Sequence, residues 1–167
     1  MVVIIDPQQS GIAGNMIVGA FVDMGVNPNE MKTIMEKVAN EFGKTTIHLN
    51  KINKKGIQST YCRVEIPEDE NPHIHYTELI KKLDTISQNT DYDPKIFELS
   101  KKVFQKIAEA ESIVHGKSLQ EIHFHEVGAC DAVADVIGSV YGYYKLGLDK
   151  TQVIGLPVSV GGGNIKS

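Results

Sequence analysis

Two kinds of apolar spacing alternate along the chain, and this alternation is what most constrains its fold. Val2–Ile5 is a continuous β-branched run that ends at Asp6, a pattern typical of a buried strand. After a glycine-containing loop, apolar residues recur at helical spacing from Met16 to Met24, and Gly25 ends that helix. The sequence therefore predicts an opening strand, a glycine loop and a helix.

The next segments predict a second helix and a hairpin. Asn27 followed by Pro28 is typical of a capped helix start, and Gly43 closes this helix. Residues 45–52 and 57–66 are both rich in β-branched side chains, and the polar stretch between them predicts a turn.

The second half of the chain is mostly helical in pattern. A short helix is expected over about 77–86, and Asp93 with Pro94 begins a longer helix that ends near His115. The apolar stripe of this longer helix is predicted to consist of Ile96, Leu99, Val103, Ile107, Ala110 and Val114.

Three elements are expected after that helix. Residues 118–121 have capping-box spacing, 129–146 predict a final helix, and 153–160 predict a last strand. The whole order of elements predicts an α/β or α+β fold, in which a small mixed sheet and one β-hairpin pack with about five helices.

Composition and charge narrow the class of protein. The 167 residues are 41% hydrophobic and 23% charged, which fits one globular domain, and the net charge of −4 counts against nucleic-acid binding. No basic signal-peptide region and no membrane-spanning apolar run is found, so no membrane partner is expected. Cys62 and Cys130 form no C-x-x-C pair, which favours buried, reduced thiols in a cytoplasmic protein.

The densest group of chemically active residues follows position 122. His123 and His125 share a face if the segment is extended, and Glu126 comes directly after them. Asp131 and Asp135 are four residues apart on the predicted final helix, so they also share a face. Imidazoles with carboxylates suit a zinc, nickel or copper site, or a site for a cationic substrate. The alternative is that the histidines are structural and Asp131 caps the helix.

A second histidine pair lies in an acidic, polar loop. His73 and His75 are again separated by one residue, and Glu68, Asp69 and Glu70 precede them. Such a loop is suited to capturing a metal ion and passing it on. The alternative is a solvated loop whose histidines have no role.

The glycine loop before the first helix is a third candidate site. It contains Asp6, Ser10, Gly11, Gly14 and Asn15. Backbone N–H groups at the start of a helix can bind an anion, but the loop matches neither the P-loop pattern nor G-x-G-x-x-G. Ser10 and Asn15 are equally suited to capping the helix.

Four stretches together resemble one family. The segments DPQQSGIAGNM, AEAESIVHG, HFHEVGACDAVADVIG and GLPVSVGGG are similar, in this order, to the LarC-type nickel insertion proteins. The resemblance runs from residue 3 to residue 163. The HFHEVGA-D block, with a second aspartate four residues further on, is its most specific part.

The resemblance implies a function and a division of the protein. The family inserts nickel into a pyridinium-3,5-bisthiocarboxylate mononucleotide, which makes the nickel-pincer cofactor of lactate racemase-like enzymes. The reaction uses CTP with manganese or magnesium at a carboxy-terminal domain, and family members are oligomers. The implied identity of residues 1–167 is therefore the amino-terminal domain of a CTP-dependent nickel chelatase of the lyase class. Without the carboxy-terminal nucleotide-using domain or a partner chain, we expect it to be inactive.

The resemblance also assigns residues. His123, His125 and Glu126, with His73 and His75, are expected to handle nickel. The glycine-loop residues, with Asp131 and Asp135, are expected to bind the mononucleotide.

Three departures from the family pattern stand out. The family usually has aspartate where this chain has Asn15, and many members have a longer histidine run in the acidic loop. The chain also stops at Ser167, where the family continues, so the domain is expected to be truncated.

Two other functions fit the same residues. One is a non-catalytic module for oligomerisation and docking, in which the histidines are buried in hydrogen bonds. The other is a zinc hydrolase with Glu126 as its base, which would need a third protein ligand that the sequence does not offer.

Overall fold

The structure is a computed structural model that describes residues 2–67, 74–124 and 129–160. Its helices are α1 (Gly14–Asp23), α2 (Pro28–Ala39), α3 (Tyr76–Gln88), α4 (Pro94–His115) and α5 (Ala129–Lys145). Its strands are β1 (Val2–Ile5), β2 (Thr46–Lys54), β3 (Ile57–Glu65), β4 (Ile74–His75), β5 (His123–Phe124) and β6 (Gln152–Gly155). The predicted mixed α/β class, with five helices and a hairpin, is confirmed over these residues.

The strands described form three separate pairs. β1 and β6 are parallel, whereas β2 pairs with β3, and β4 with β5, in antiparallel ladders. The predicted hairpin is the β2–β3 pair, and its turn is made by Lys55 and Gly56, both with positive φ (53° and 86°). Two positive φ angles in a two-residue loop match the twist of the flanking strands.

Local capping signals predicted the helix starts correctly. The Asn27 side chain accepts hydrogen bonds from the backbone N–H groups of Asn29 and Glu30, at 2.9 and 3.3 Å. Asp93 accepts one from the Lys95 N–H at 3.0 Å. The capping box at 118–121 is also present, with a short 3₁₀ turn over Leu119–Glu121.

α5 lies at the centre of the fold, against α1, α2 and α4. Two glycines on α5 let its neighbours approach closely. A Cβ on Gly142 would lie 2.5 Å from Phe21 Cδ2 on α1, and one on Gly138 would lie 2.7 Å from Met35 Sδ on α2. Close packing of this kind fixes the position of α1 relative to α5, which matters for the site below.

The apolar stripe predicted for α4 is wrong in part. Ile96 is buried, but the buried face continues through Phe97, Ser100, Phe104 and Ala108. Ala110 and Val114 are exposed to solvent, and Val114 is 79% exposed. The helix carries two apolar stripes. The stripe with two phenylalanines is the buried one, because aromatic side chains bury more apolar area.

Two strand predictions also need correction. β1 is not buried on both faces, because Val2 and Ile4 are exposed while Val3 and Ile5 are half-buried. β6 ends at Gly155 and does not reach 160. The last backbone bond of the ladder runs from Leu156 N–H to Ile5 O (2.9 Å). The next bond would need an N–H at position 7 to donate to Leu156 O, and Pro7 has none. None of the helices described combines the length and apolar character needed to cross a membrane.

Candidate functional site

The first part of the candidate site is the corner where the start of α1 meets α5. A Cβ on Gly14 would lie only 2.5 Å from Asp135 Cβ and 2.7 Å from Asp135 Oδ2, so only glycine fits at this position. The Asp135 carboxyl therefore lies against the first turn of α1, where it receives a hydrogen bond from the Asn15 backbone N–H. Asp131 lies one turn earlier on α5, in the first turn of that helix and next to the buried Cys130.

This corner holds a carboxyl group, that of Asp135, whose pKa is well above the usual value for aspartate. Burial raises the pKa of Asp135 to about 7, the neighbouring Asp131 adds to this effect, and the Asn15 N–H opposes it. Burial also raises the pKa of Asp131. Asp135 Oδ1 is buried and has no hydrogen-bond partner in the described part of the chain. A proton or another cation at Asp135 would relieve both the burial of charge and the unpartnered oxygen.

Cys62 on β3 belongs to the same corner, which the sequence did not reveal. Asn15 Nδ2 donates a hydrogen bond to the Cys62 carbonyl oxygen at 3.4 Å. Burial, helped by the charges of Asp135 and Asp131, raises the pKa of the Cys62 thiol to about 12. Cys62 and Cys130 are both buried and are not joined in a disulfide, which confirms the sequence prediction of buried, reduced thiols. Cys62 therefore remains a neutral thiol at physiological pH, and nothing local in the sequence indicates that it contacts this corner.

The glycine loop is held in shape by hydrogen bonds within itself. Asp6 Oδ1 accepts hydrogen bonds from Gln8 N–H (3.0 Å) and Gln8 Nε2 (3.1 Å), and Gly11 N–H donates to Pro7 O (3.0 Å). Ala13 is the N-cap of α1 and offers no side-chain cap, so the alternative reading of Ser10 and Asn15 as caps is wrong. The group that lies at this helix end is the Asp135 carboxyl.

The second part of the site is the β4–β5 ladder. Its register pairs Ile74 with Phe124 and His75 with His123. Ile74 and Phe124 are buried, and the Phe124 ring lies 6.3 Å from both Tyr76 and Phe104, centroid to centroid. The ladder is therefore anchored in the core, and it places one histidine from each predicted pair at directly opposed backbone positions.

Other predicted ligands lie outside the described residues, namely His73, His125 and Glu126. Over the parts of the chain that the structure describes, no three His, Cys, Asp or Glu side chains form a metal-binding group. The remaining histidines are accounted for by ion pairs, His48 with Glu65 at 2.8 Å and His115 with Glu111 at 3.0 Å.

A separate cleft of about 650 Å³ lies between α2 and α5 and was also missed by the sequence analysis. Glu30 in its wall accepts hydrogen bonds from Tyr141 Oη (2.7 Å) and pairs with Lys145 Nζ (2.9 Å). These contacts link α2 to α5. The cleft shares no residue with the α1–α5 corner.

Comparison with known proteins decides the family. The family model of nickel insertion proteins matches residues 3–167, which is nearly the whole chain. This chain belongs to the nickel insertion protein family. A relative from Methanosphaera stadtmanae, whose name places it in the same family, is 49% identical over 171 residues, covering 100% of this chain and 42% of the relative.

Relatives from bacteria carry a more specific name. A Staphylococcus epidermidis protein named pyridinium-3,5-bisthiocarboxylic acid mononucleotide nickel insertion protein is 34% identical over 158 residues, covering 93% of this chain and 38% of its own. A Desulfitobacterium hafniense protein of the same name is 33% identical, with 95% and 37% covered. The chain thus spans about two fifths of the curated relatives it matches. No solved structure matches it.

Proposed function

We propose that this chain is the amino-terminal, metal- and substrate-handling domain of a protein that inserts nickel into pyridinium-3,5-bisthiocarboxylic acid mononucleotide. Family membership and the names of the bacterial relatives support this function. The observation that carries it is the β4–β5 register, because it brings together the two histidine-bearing segments that are 48 positions apart at His75 and His123. Nickel is the cargo of this reaction and not a resident cofactor.

The register is suited to nickel capture. Directly opposed positions of an antiparallel ladder have Cβ atoms roughly 4.5–5.5 Å apart, a spacing at which two imidazoles can reach one ion. Imidazole is a good ligand for nickel. In the proposal, His73, His125 and Glu126, which flank the ladder in sequence, complete the coordination.

The α1–α5 corner is proposed to bind the mononucleotide. Asp131 and Asp135 present two carboxyl groups, and the Asp135 carboxyl is held at a pKa of about 7 by burial. A cation such as the pyridinium ring or nickel would replace the proton on this carboxyl at neutral pH. The loop residues Asp6, Ser10, Gly11, Gly14 and Asn15 are proposed to shape this corner and contact the substrate.

The remaining steps are proposed to lie elsewhere. The relatives have more than half of their length outside the stretch matched here, which leaves room for a carboxy-terminal domain that uses CTP with manganese or magnesium. This chain is proposed to work in a cytoplasmic homo-oligomer. It is proposed to be inactive in nickel insertion without the carboxy-terminal domain or a partner chain. The product is proposed to serve a lactate racemase-like enzyme.

Nickel titration by calorimetry at neutral pH tests the metal role. We expect binding by the unmodified chain, and loss of this binding in the His75→Ala/His123→Ala and His123→Ala/His125→Ala variants. The control is His48→Ala/His115→Ala, which removes two histidines from ion pairs outside the ladder. Binding that survives in both ladder variants would contradict the proposal.

The second candidate function is a docking module without chemistry of its own. The observation that favours it is the exposed apolar surface on β1 and α1, where Ile4, Met16 and Met24 are largely open to solvent. The calorimetric experiment separates the two functions, since a docking module needs no nickel site.

A further inference from the structure

One side of the molecule exposes an apolar groove beside the candidate site, and the two share Asp6 and Gly11 of the glycine loop. The groove, of about 250 Å³, lies between β1, the glycine loop and the outer face of α1. Ile4 from the strand, Ile12 from the loop, and Met16 and Met24 from the helix line it. These four side chains are between 42% and 61% exposed, which is unusual for large apolar residues that cluster.

The exposed surface continues over the β1–β6 sheet. Val3 and Val153 pack against the core, whereas Val2 and Ile154 on the neighbouring positions of the two strands are exposed. We call the groove and this outer sheet surface together the β1–α1 face. On α1, this face is distinct from the contact with α5. Gly14 and Val18 lie against α5, whereas Met16, Ala20 and Met24 line the groove.

The sequence of β1 is that of a strand covered on both sides. Parallel sheets are nearly always buried on both faces, and their strands are continuous apolar runs. Val2–Ile5 is such a run, and its only partner among the described strands is β6, so the parallel sheet here has two strands. A two-stranded sheet with one bare apolar face lacks the packing that makes such sheets stable.

We propose that the β1–α1 face is the docking surface for the polypeptide that full-length nickel insertion proteins carry outside the stretch matched here. Family membership indicates which polypeptide would cover this face. The Methanosphaera relative matches this chain end to end, yet only 42% of that relative is involved in the match. This inference rests on the family assignment and not on nickel binding, so each can fail without the other.

A second copy of this chain is the competing occupant, and concentration separates the two. An intramolecular partner covers the face at any protein concentration, whereas self-association depends on mass action.

Methionine oxidation followed by mass spectrometry tests the proposal. Met16 and Met24 lie on the face, while Met31 and Met35 are fully buried and serve as internal controls. In the isolated chain, we expect hydrogen peroxide to oxidise Met16 and Met24 several-fold faster than the two controls. The comparison is a long protein in which this chain replaces the matched stretch of the Methanosphaera relative. There, oxidation of Met16 and Met24 should slow towards the rates of Met31 and Met35.

Two results would overturn the proposal. Equal oxidation of Met16 and Met24 in the isolated chain and in the long protein would show that the added polypeptide does not cover the face. Protection that increases with the concentration of the isolated chain would assign the face to a second copy.

A charge substitution gives an independent measurement. Ile4→Lys should leave the melting temperature of the isolated chain unchanged, because the side chain points to solvent, but should restore oxidation of Met16 and Met24 in the long protein. The matched control is Ile57→Lys, at an isoleucine that is 73% exposed beside the hairpin turn and away from the face. A loss of melting temperature with Ile4→Lys in the isolated chain would show that the face is already covered and would overturn the proposal.

Discussion

Gly14 and Asp135 lie in contact across the junction of two helices, with 2.5 Å between the Cβ that Gly14 lacks and the Cβ that Asp135 has. This approach lets a carboxyl group from α5 reach the first turn of α1. The two residues are 121 positions apart, so the site corner exists only when both helices are packed.

Gly14→Ala is expected to destabilise the chain. The added methyl would overlap Asp135 and push α1 away from α5, and overpacking of this kind costs about 1–3 kcal/mol. The measurement is the free energy of unfolding in denaturant. Gly155→Ala is the matched control, because a Cβ there meets nothing within 4 Å. Equal stability of the two variants would show that α1 can move without cost.

The stability of the chain should depend on pH through Asp135. Its pKa rises from 3.8 to about 7 on folding, so between these values the folded state binds more protons than the unfolded state. The free energy of unfolding should therefore fall as pH rises from about 4 to 7 and then level off. Because the side chain is only partly buried, we expect a fall of about 2 kcal/mol rather than the roughly 4 kcal/mol that the full shift implies.

Asp135→Asn should remove most of this dependence and be more stable than the unmodified chain at pH 7.5. Denaturant unfolding at several pH values, with a chelator present, measures the difference. Asp149→Asn removes the same charge from an exposed position and is the control. An unchanged pH profile in Asp135→Asn would assign the dependence to other groups.

The two faces of α4 should respond very differently to truncation. Phe104 is fully buried and in contact with Phe124, so Phe104→Ala should cost about 3–5 kcal/mol through lost burial and a cavity. Val114→Ala, on the exposed stripe, should change stability by less than about 0.5 kcal/mol. Thermal or denaturant unfolding of the two variants shows which apolar stripe of α4 packs in the core. A large cost at Val114 would mean that the exposed stripe is covered in solution.

Local signals explain the parts of the fold that the sequence predicted well. Helix starts at Asn27 and Asp93, the capping box at Ser118 and the hairpin turn at Gly56 all depend on residues within a few positions of each other. Their backbone conformations follow from steric and hydrogen-bonding preferences that each short segment carries by itself.

Predictions that needed a partner surface were less successful. The sequence shows two apolar stripes on α4, but only the position of Phe124 and its neighbours decides that Phe104 turns inward. In the same way, the run Val2–Ile5 predicts burial on both sides, and the described residues cover only one. Periodicity identifies apolar faces, and tertiary packing selects among them.

The candidate site, too, was predictable from the sequence in part only. The sequence by itself determined the residue types, namely histidine pairs, two aspartates one helical turn apart and a glycine loop, together with the family. The tertiary structure alone decided that His75 opposes His123 and that Asp135 shares a corner with Asn15 and Cys62. The physical reason is that these pairings are contacts between distant segments, set by which surfaces pack most closely, and no local preference of the chain encodes them.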